Sequence, residues 1–379
     1  MNTQTRATDV VVIGAGQAGL SSAYFLRRAG FAAEDGYVVL DSDRAAGGAW
    51  QHRWPTLRME TVNGIFDLPG LAFEPPAAQE QAAVAIPRYF AEFESEYRLA
   101  VHRPVTVRAV RPGPEGRLLV EGDAGTWAAR AVINATGTWT RPFWPYYPGR
   151  ERFRGQQLHA VDYPGPEPFV GKRVVVVGGG ITGLQLLSEL ARAGASTTWV
   201  TRRPPVFRDE PFTREYGREV VAMVDRRVRQ GLVPQSVVAV TGLPITEAVR
   251  AARRDGLLDR LPMFDRITPD GVVWDEGAPD GAAWDGGPAG STPPPARRSL
   301  DADMILWCTG WRAALDHLAP LHLRAPGGGI AMDGTRVVLE PRLHLVGYGP
   351  SASTVGANRA GRKAVREISA LLAEPSTAR

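Results

Sequence analysis

The run Asp9–Gly19, DVVVIGAGQAG, decides the fold, and Arg173–Gly183, RVVVVGGGITG, repeats its design. Each opens on β-branched residues without polar alternation, the pattern of a parallel strand buried on both faces. Each then turns through three glycines spaced G-x-G-x-x-G. Apolar residues at helical spacing follow: Leu20, Ala23 and Tyr24 in the first, and Leu184, Leu187, Leu190 and Ala191 in the second. A further strand comes after each helix, Tyr37–Leu40 and Thr197–Val200. Two such units predict an α/β chain with two Rossmann-like dinucleotide-binding domains.

In this kind of turn one glycine permits the tight bend and a second lets the backbone approach a pyrophosphate. The third lets the helix pack on the strand, and the helix N-terminus offers free N–H groups to the phosphates. Gly14, Gly16, Gln17, Ala18 and Gly19 are thus assigned to one dinucleotide, and Gly178, Gly180, Ile181, Thr182 and Gly183 to another. The following strands end differently. Asp41 closes the first unit, where a carboxylate accepts the hydroxyls of an adenosine ribose, as FAD or NAD requires. The second unit closes on Thr201-Arg202-Arg203, without an acid. A carboxylate there would repel a 2′-phosphate, whereas a guanidinium pairs with it in a forked, charge-assisted geometry. This favours NADPH over NADH; the alternative is that the two arginines merely open a surface loop before Pro204-Pro205. One acid-terminated and one arginine-terminated unit point to two different dinucleotides, most economically a flavin and the reduced nicotinamide that feeds it.

The bulk numbers agree with an enzyme of this size. A length of 379 residues exceeds one typical domain, and 44% hydrophobic with 22% charged residues is ordinary for a globular chain. The net charge of +4 is spread over pairs such as Arg202-Arg203 and Arg253-Arg254 with no long cationic run, which argues against nucleic acid as a partner. A single cysteine, Cys308, allows neither an internal disulfide nor a C-x-x-C redox pair and fits a cytoplasmic location. The N-terminus shows no signal-peptide pattern and no window has the apolar length of a membrane span, so a soluble protein without a membrane partner is expected. No metal site is read. Residues 275–295 are low in complexity and predict a surface loop. Helices are predicted around Pro87–Tyr97, Arg214–Gln230 and Thr246–Leu258.

Just ahead of the second fingerprint, residues 153–163 read FRGQQLHAVDY. The pattern F-x-G-x-x-x-H-x-x-x-Y, filled by Phe153, Gly155, His159 and Tyr163, resembles the signature of class B flavoprotein monooxygenases. That family includes the flavin-containing monooxygenases, the plant YUCCA enzymes and, with a different last residue, the Baeyer–Villiger monooxygenases. Gly47-Gly48-Ala49-Trp50, Ala135-Thr136-Gly137, Cys308-Thr309-Gly310-Trp311 and Leu345-Val346-Gly347 extend the resemblance over nearly the whole chain.

The resemblance implies an NADPH domain, residues 164–300, inserted into an FAD domain made of residues 1–163 and 301–379. Ala135, Thr136 and Gly137, with Thr309 and Gly310, would lie at the two crossings and contact the cofactors. Gly48, Ala49 and Trp50 would surround the isoalloxazine, and Pro350–Thr354, with Thr354 a cofactor contact, would precede a helix beginning around Val355 whose N-terminus faces the flavin's pyrimidine end. The implied reaction begins with reduction of FAD by NADPH. O2 then adds to form a C4a-(hydro)peroxyflavin, one oxygen atom passes to a small organic substrate by N- or S-oxygenation, and the other leaves as water. Baeyer–Villiger insertion and oxidative decarboxylation stay open, with Tyr163 leaning away from the former. A non-oxygenating NADPH–flavin reductase and a flavin-binding redox sensor stay open as well. Where flavin-containing monooxygenases carry an asparagine beside the flavin, this chain has Glu60, with Asn63 three residues on. Glu60 is a candidate general base, or else a solvent-facing side chain, and Asn63 is the second candidate. His159 would lie near the domain interface, as a structural hydrogen bonder before a proton-transfer group. Phe212, Tyr216 and Met223 would roof a substrate cleft, or serve in packing or a subunit interface, which leaves a homodimer open.

Overall fold

The computed structural model describes residues 5–62, 64–209, 214–234, 241–275 and 299–373, and the chain divides into two compact units. The first takes residues 1–140, 213–237 and 313–379; the second takes residues 141–212 and 238–312.

In the first unit the DVVVI run lies in strand β1 (Thr5–Ile13), helix α1 (Gln17–Arg28) follows the glycine turn, and β2 (Tyr37–Leu40) returns parallel to β1. Val10, Val11, Val12, Tyr37 and Val39 are fully buried, as a strand pair covered on both faces demands. Helix α2 (Ala82–Glu96) buries Ala82, Ala85, Ile86, Tyr89, Phe90 and Phe93, one continuous apolar stripe. It leads into β3 (Val101–His102), which pairs with β2. The antiparallel ribbon β4 (Val107–Pro112) and β5 (Leu118–Gly122) feeds β6 (Gly125–Asn134), which runs parallel to β1 on its other side. Strand Leu343–Leu345 adds to β6, again in parallel. Ile13, Leu40, Asn134 and Leu345 therefore end their strands at one edge of the sheet, where α1 begins. Open parallel sheets bind ligands at that edge.

The second unit repeats the design. Strands β7 (Gln156–His159), β8 (Arg173–Val177) and β9 (Ser196–Thr201), with α3 (Ile181–Arg192) between β8 and β9, join strands Leu261–Pro262 and Met304–Trp307 in a five-stranded sheet, all parallel. Val175, Val177, Val200, Phe264, Ile305 and Trp307 form its core.

A mixed sheet with a parallel centre in the first unit and an all-parallel sheet in the second agree with the expected α/β class. The expected boundaries at 163/164 and 300/301 do not hold. Strand β7 is an edge strand of the second sheet, paired along its length with Met304–Trp307, so residues 141–163 and 301–312 fold with the second unit. Helix α4 (Arg214–Arg229), expected in the inserted domain, folds with the first unit, its residues Val220, Val224 and Val228 fully buried or nearly so. The low-complexity stretch falls almost wholly outside the described residues. Among the described residues no helix is long and apolar enough to cross a membrane.

Candidate functional site

The two fingerprints impose the same three constraints. Gly14 has φ +97° and Gly178 has φ +139°, and a side chain at either would strike a carbonyl of the neighbouring strand end: a Cβ would stand 2.7 Å from Ala135 O or 2.2 Å from Cys308 O. The third glycines pack onto the first. A Cβ at Gly19 would lie 1.8 Å from Gly14 O, and one at Gly183 2.6 Å from Gly178 O. The middle glycines are different, for a Cβ at Gly16 or Gly180 meets no protein atom within 4 Å. Protein packing does not account for glycine there, whereas close approach of a pyrophosphate does. Each middle glycine is also the N-cap of its helix, with no side-chain cap to the first N–H groups. Both turns fit a dinucleotide.

Around the first turn, Gly48 lies against the fingerprint, its would-be Cβ 2.8 Å from Gly16 Cα, and begins the short 3-10 turn Gly48–Trp50 that carries Ala49 and Trp50. Gln17 Nε2 donates to Asn358 Oδ1 at 3.1 Å, tying α1 to the C-terminal helix Thr354–Ala373, of which Thr354 is the first residue. Asp41 is buried at the end of β2. Burial pushes its carboxyl pKa up, while hydrogen bonds from Arg103 and the Ala15 backbone pull the other way. Arg103 Nε donates to Asp41 Oδ2 at 2.8 Å, and its two terminal nitrogens grip Glu94 at 2.6 Å each. Burial opposes the Arg103 charge, but the two carboxylates outweigh it and hold its pKa up. One Asp41 oxygen is thus taken by Arg103, so the ribose contact expected of both falls chiefly to the other. The sequence reading missed Arg103 and Glu94.

Thr136, in the Ala135-Thr136-Gly137 crossing, donates to Ala314 O at 2.7 Å, and Gly137 O accepts from the Ala314 N–H at 2.9 Å. Asn134 Nδ2 donates to Thr136 Oγ1 at 3.1 Å, and Asn134 Oδ1 accepts from His317 Nε2 at 2.6 Å. Burial drives the His317 pKa down to about 4, so this imidazole is a neutral strut. Glu60 lies exposed in the 3-10 turn Met59–Thr61, so the enclosure expected of a general base is not provided by the chain. Asn63 lies outside the described residues.

In the second unit Thr201 ends β9 buried, and Arg202 and Arg203 follow it exposed. A third guanidinium joins them: Arg260 Nη1 donates to Thr201 Oγ1 at 3.4 Å, brought there by the pairing of Leu261–Pro262 with Val200–Thr201. Thr309 donates to Phe143 O, and the Phe143 N–H donates to Gly310 O at 2.9 Å. His159 is fully buried. Its Nδ1 accepts from the Val161 N–H at 3.1 Å, which leaves the proton on Nε2 to donate to Gly310 O at 3.2 Å. Burial lowers its pKa, partly offset by that bond. His159 thus bridges β7 and the Thr309–Gly310 loop through these two hydrogen bonds, with burial favouring its neutral form. Tyr163 is buried with its hydroxyl facing Glu189 of α3, and burial and that carboxylate raise its pKa.

A family model described as Pyridine nucleotide-disulphide oxidoreductase matches residues 11–251. A solved structure, the "Flavin-containing monooxygenase from Stenotrophomonas maltophilia", is 36% identical, with a TM-score of 0.76 over 97% of this chain and 100% of that one. The chain belongs to the class B flavoprotein monooxygenase family. Its curated relatives in that family include the "Probable FAD-binding monooxygenase AlmA" of Acinetobacter baylyi, 26% identical over 52% of this chain and 42% of that protein. The "Indole-3-pyruvate monooxygenase YUCCA1" of Oryza sativa subsp. japonica is 29% identical over 52% of this chain and 49% of that one. The chain spans about half the length of the curated relatives it matches.

Proposed function

We propose that this class B family member holds FAD on its first unit and NADPH on its second, and transfers one oxygen atom from O2 to a small organic substrate. N- or S-oxygenation is the favoured outcome. The observation that carries this is the pair of open middle glycines, Gly16 and Gly180, each at a helix N-terminus, joined to one carboxylate-terminated and one arginine-terminated strand. Bound FAD would supply the oxygen-activating chemistry and NADPH its two electrons.

The chain's own residues bind and orient. The backbone around Gly16 and the first turn of α1 receives the flavin's pyrophosphate, and Asp41, braced by Arg103, accepts a ribose hydroxyl. Gly180 and α3 do the same for the second dinucleotide, with Arg202, Arg203 and Arg260 grouped where a 2′-phosphate would sit. Trp50, two residues after Gly48 in the same 3-10 turn, is assigned to the isoalloxazine's surroundings. His159, buried and neutral, fixes the loop carrying Thr309 and Gly310 and moves no proton. Oxidative decarboxylation of an α-keto acid is a second reading, favoured by the relative whose name gives indole-3-pyruvate as its substrate.

The deciding experiment mixes the isolated yellow protein with NADPH, first without oxygen and then in air with a thioether or amine. Bleaching followed by oxygenated product in step with NADPH consumption is expected. Bleaching with hydrogen peroxide alone would make the chain a reductase, and no bleaching would leave a binding protein.

A further inference from the structure

In the second unit the half-buried ring of Tyr147 lies on core side chains at the strand ends. Its centroid stands 6.0 Å from that of Trp307 with the planes 16° apart, and 5.0 Å from that of Phe264 at 59°. Trp307 is paired with Val177 and Val177 with Val200, and all three belong to one core cluster with Phe264, so they share a face of the sheet. Gly178, the first glycine of the fingerprint, follows Val177, and Arg202 comes two residues after Val200. The chain behind the ring is pinned. The Ile267 N–H donates to Pro148 O at 2.8 Å, and Gly149, at φ +83°, lies so close to Ile267 O that a side chain would strike it. Tyr147 is thus held at the edge of the sheet to which the second dinucleotide is assigned.

Packing explains the ring and leaves the hydroxyl unexplained, because phenylalanine would cover Trp307 and Phe264 as well. Among the described residues the Tyr147 hydroxyl has no hydrogen-bond partner, and Arg202 and Arg203 have no ion pair. Burial raises the Tyr147 pKa while Arg202 pulls it down, so the charge of Arg202 reaches this oxygen and the proton stays on it as a donor. Asp265 acts on the same hydroxyl, and its Oδ2 is engaged by the Asp275 N–H at 2.8 Å. A hydroxyl donor beside a guanidinium suits a phosphate, whose several oxygens accept from donors arriving in different directions. We propose, resting on the NADPH assignment above, that Tyr147 is a further specificity-determining residue for the coenzyme, its hydroxyl donating a hydrogen bond to the 2′-phosphate that Arg202 and Arg203 attract.

The test titrates the isolated protein calorimetrically with adenosine 2′,5′-bisphosphate and adenosine 5′-monophosphate, which differ only in the 2′-phosphate. The unaltered protein is expected to hold the bisphosphate about a hundredfold more tightly, as several charge-assisted hydrogen bonds allow. Tyr147→Phe, which removes one oxygen and keeps the ring, should weaken the bisphosphate about tenfold and leave the monophosphate unchanged. In rapid-mixing reduction under nitrogen the same variant should need about tenfold more NADPH to reach half its maximal rate, and no more NADH. Tyr147→Met, which also lacks the hydroxyl but keeps apolar bulk, serves as the test should the phenylalanine variant fail to fold. A hydroxyl-free variant that keeps the full preference for the bisphosphate would overturn the proposal and leave the ring as a cover for Trp307. Equal weakening of both nucleotides would overturn it too, since Tyr147 would then serve the adenosine they share. Either result leaves the NADPH assignment standing. Equal binding of the two nucleotides by the unaltered protein, with NADH reducing the flavin as readily as NADPH, would instead sink that assignment and the proposal with it.

Discussion

Gly16 and Gly19 stand three residues apart under opposite constraints, and alanine separates them. At Gly16 the added methyl enters open space, so Gly16→Ala should change stability by no more than about 0.5 kcal/mol while most bound flavin is lost. At Gly19 the methyl meets the Gly14 carbonyl, and Gly19→Ala should cost on the order of 3 kcal/mol, because backbone cannot yield as a side-chain end does. Denaturant melts alongside the flavin-to-protein absorbance ratio check both; equal losses of stability would show that Gly16 is only a packing glycine. These glycines were legible in the sequence because strand, turn and helix are consecutive. Arg103 was not, because its partner Asp41 lies 62 residues away. The pairing of Leu40 with His102 in parallel strands makes Asp41 and Arg103 the next positions along, so strand order would have revealed it. Removing the guanidinium leaves the buried Asp41 and the half-buried Glu94 without the cation they share. Arg103→Met should therefore cost about 3 kcal/mol and weaken flavin retention, and an unchanged unfolding midpoint would refute the bracing role.

At the scale of elements, the carboxyl-end segments of the first unit rest on buried imidazoles. His317, in the turn Asp316–Leu321, and His344, in the strand beside β6, are both held by burial to a pKa of about 4. The folded state thus prefers them neutral, while the unfolded chain protonates them near 6.5. Their stabilisation is complete above pH 6.5 and is lost as pH falls from there to about 4, by roughly 3 kcal/mol each. Denaturant midpoints measured across this window should fall, and His344→Gln should flatten the slope by its share; parallel curves for the two proteins would refute the assignment. The helix 214–229 shows why element existence was legible and membership was not. Val220, Val224 and Val228 recur every four residues and announce an amphipathic helix, but an apolar stripe does not name the surface that covers it. The two fingerprints were readable for the opposite reason, since each carries its packing partners within the same βαβ unit.

For the whole molecule, the chain passes between its two units at 140/141, 212/213, 237/238 and 312/313, whereas the sequence motifs suggested a single insertion. The motif at 153–163 and the Cys308–Trp311 segment gave the right order of parts. They could not show that β7 and Met304–Trp307 pair with each other, because that contact joins residues about 150 apart. The proposed function divides the two coenzymes between the units by charge. Under the proposed function, Asp41 after β2 would disfavour a phosphorylated ribose by repulsion, and Arg202 and Arg203 after β9, with Arg260 bonded to Thr201, would attract one. If that division sets coenzyme choice, replacing both Arg202 and Arg203 by Gln should weaken NADPH about tenfold to a hundredfold, each lost charge-assisted pair contributing about tenfold. NADH, which has no 2′-phosphate, should reduce the flavin at nearly its former rate and concentration dependence. Rapid-mixing reduction under nitrogen with each coenzyme measures the ratio directly. A double variant in which NADPH and NADH weaken together would place the two arginines on the shared pyrophosphate or outside the site. A variant that still prefers NADPH would shift the selectivity to Arg260, which the triple substitution then tests.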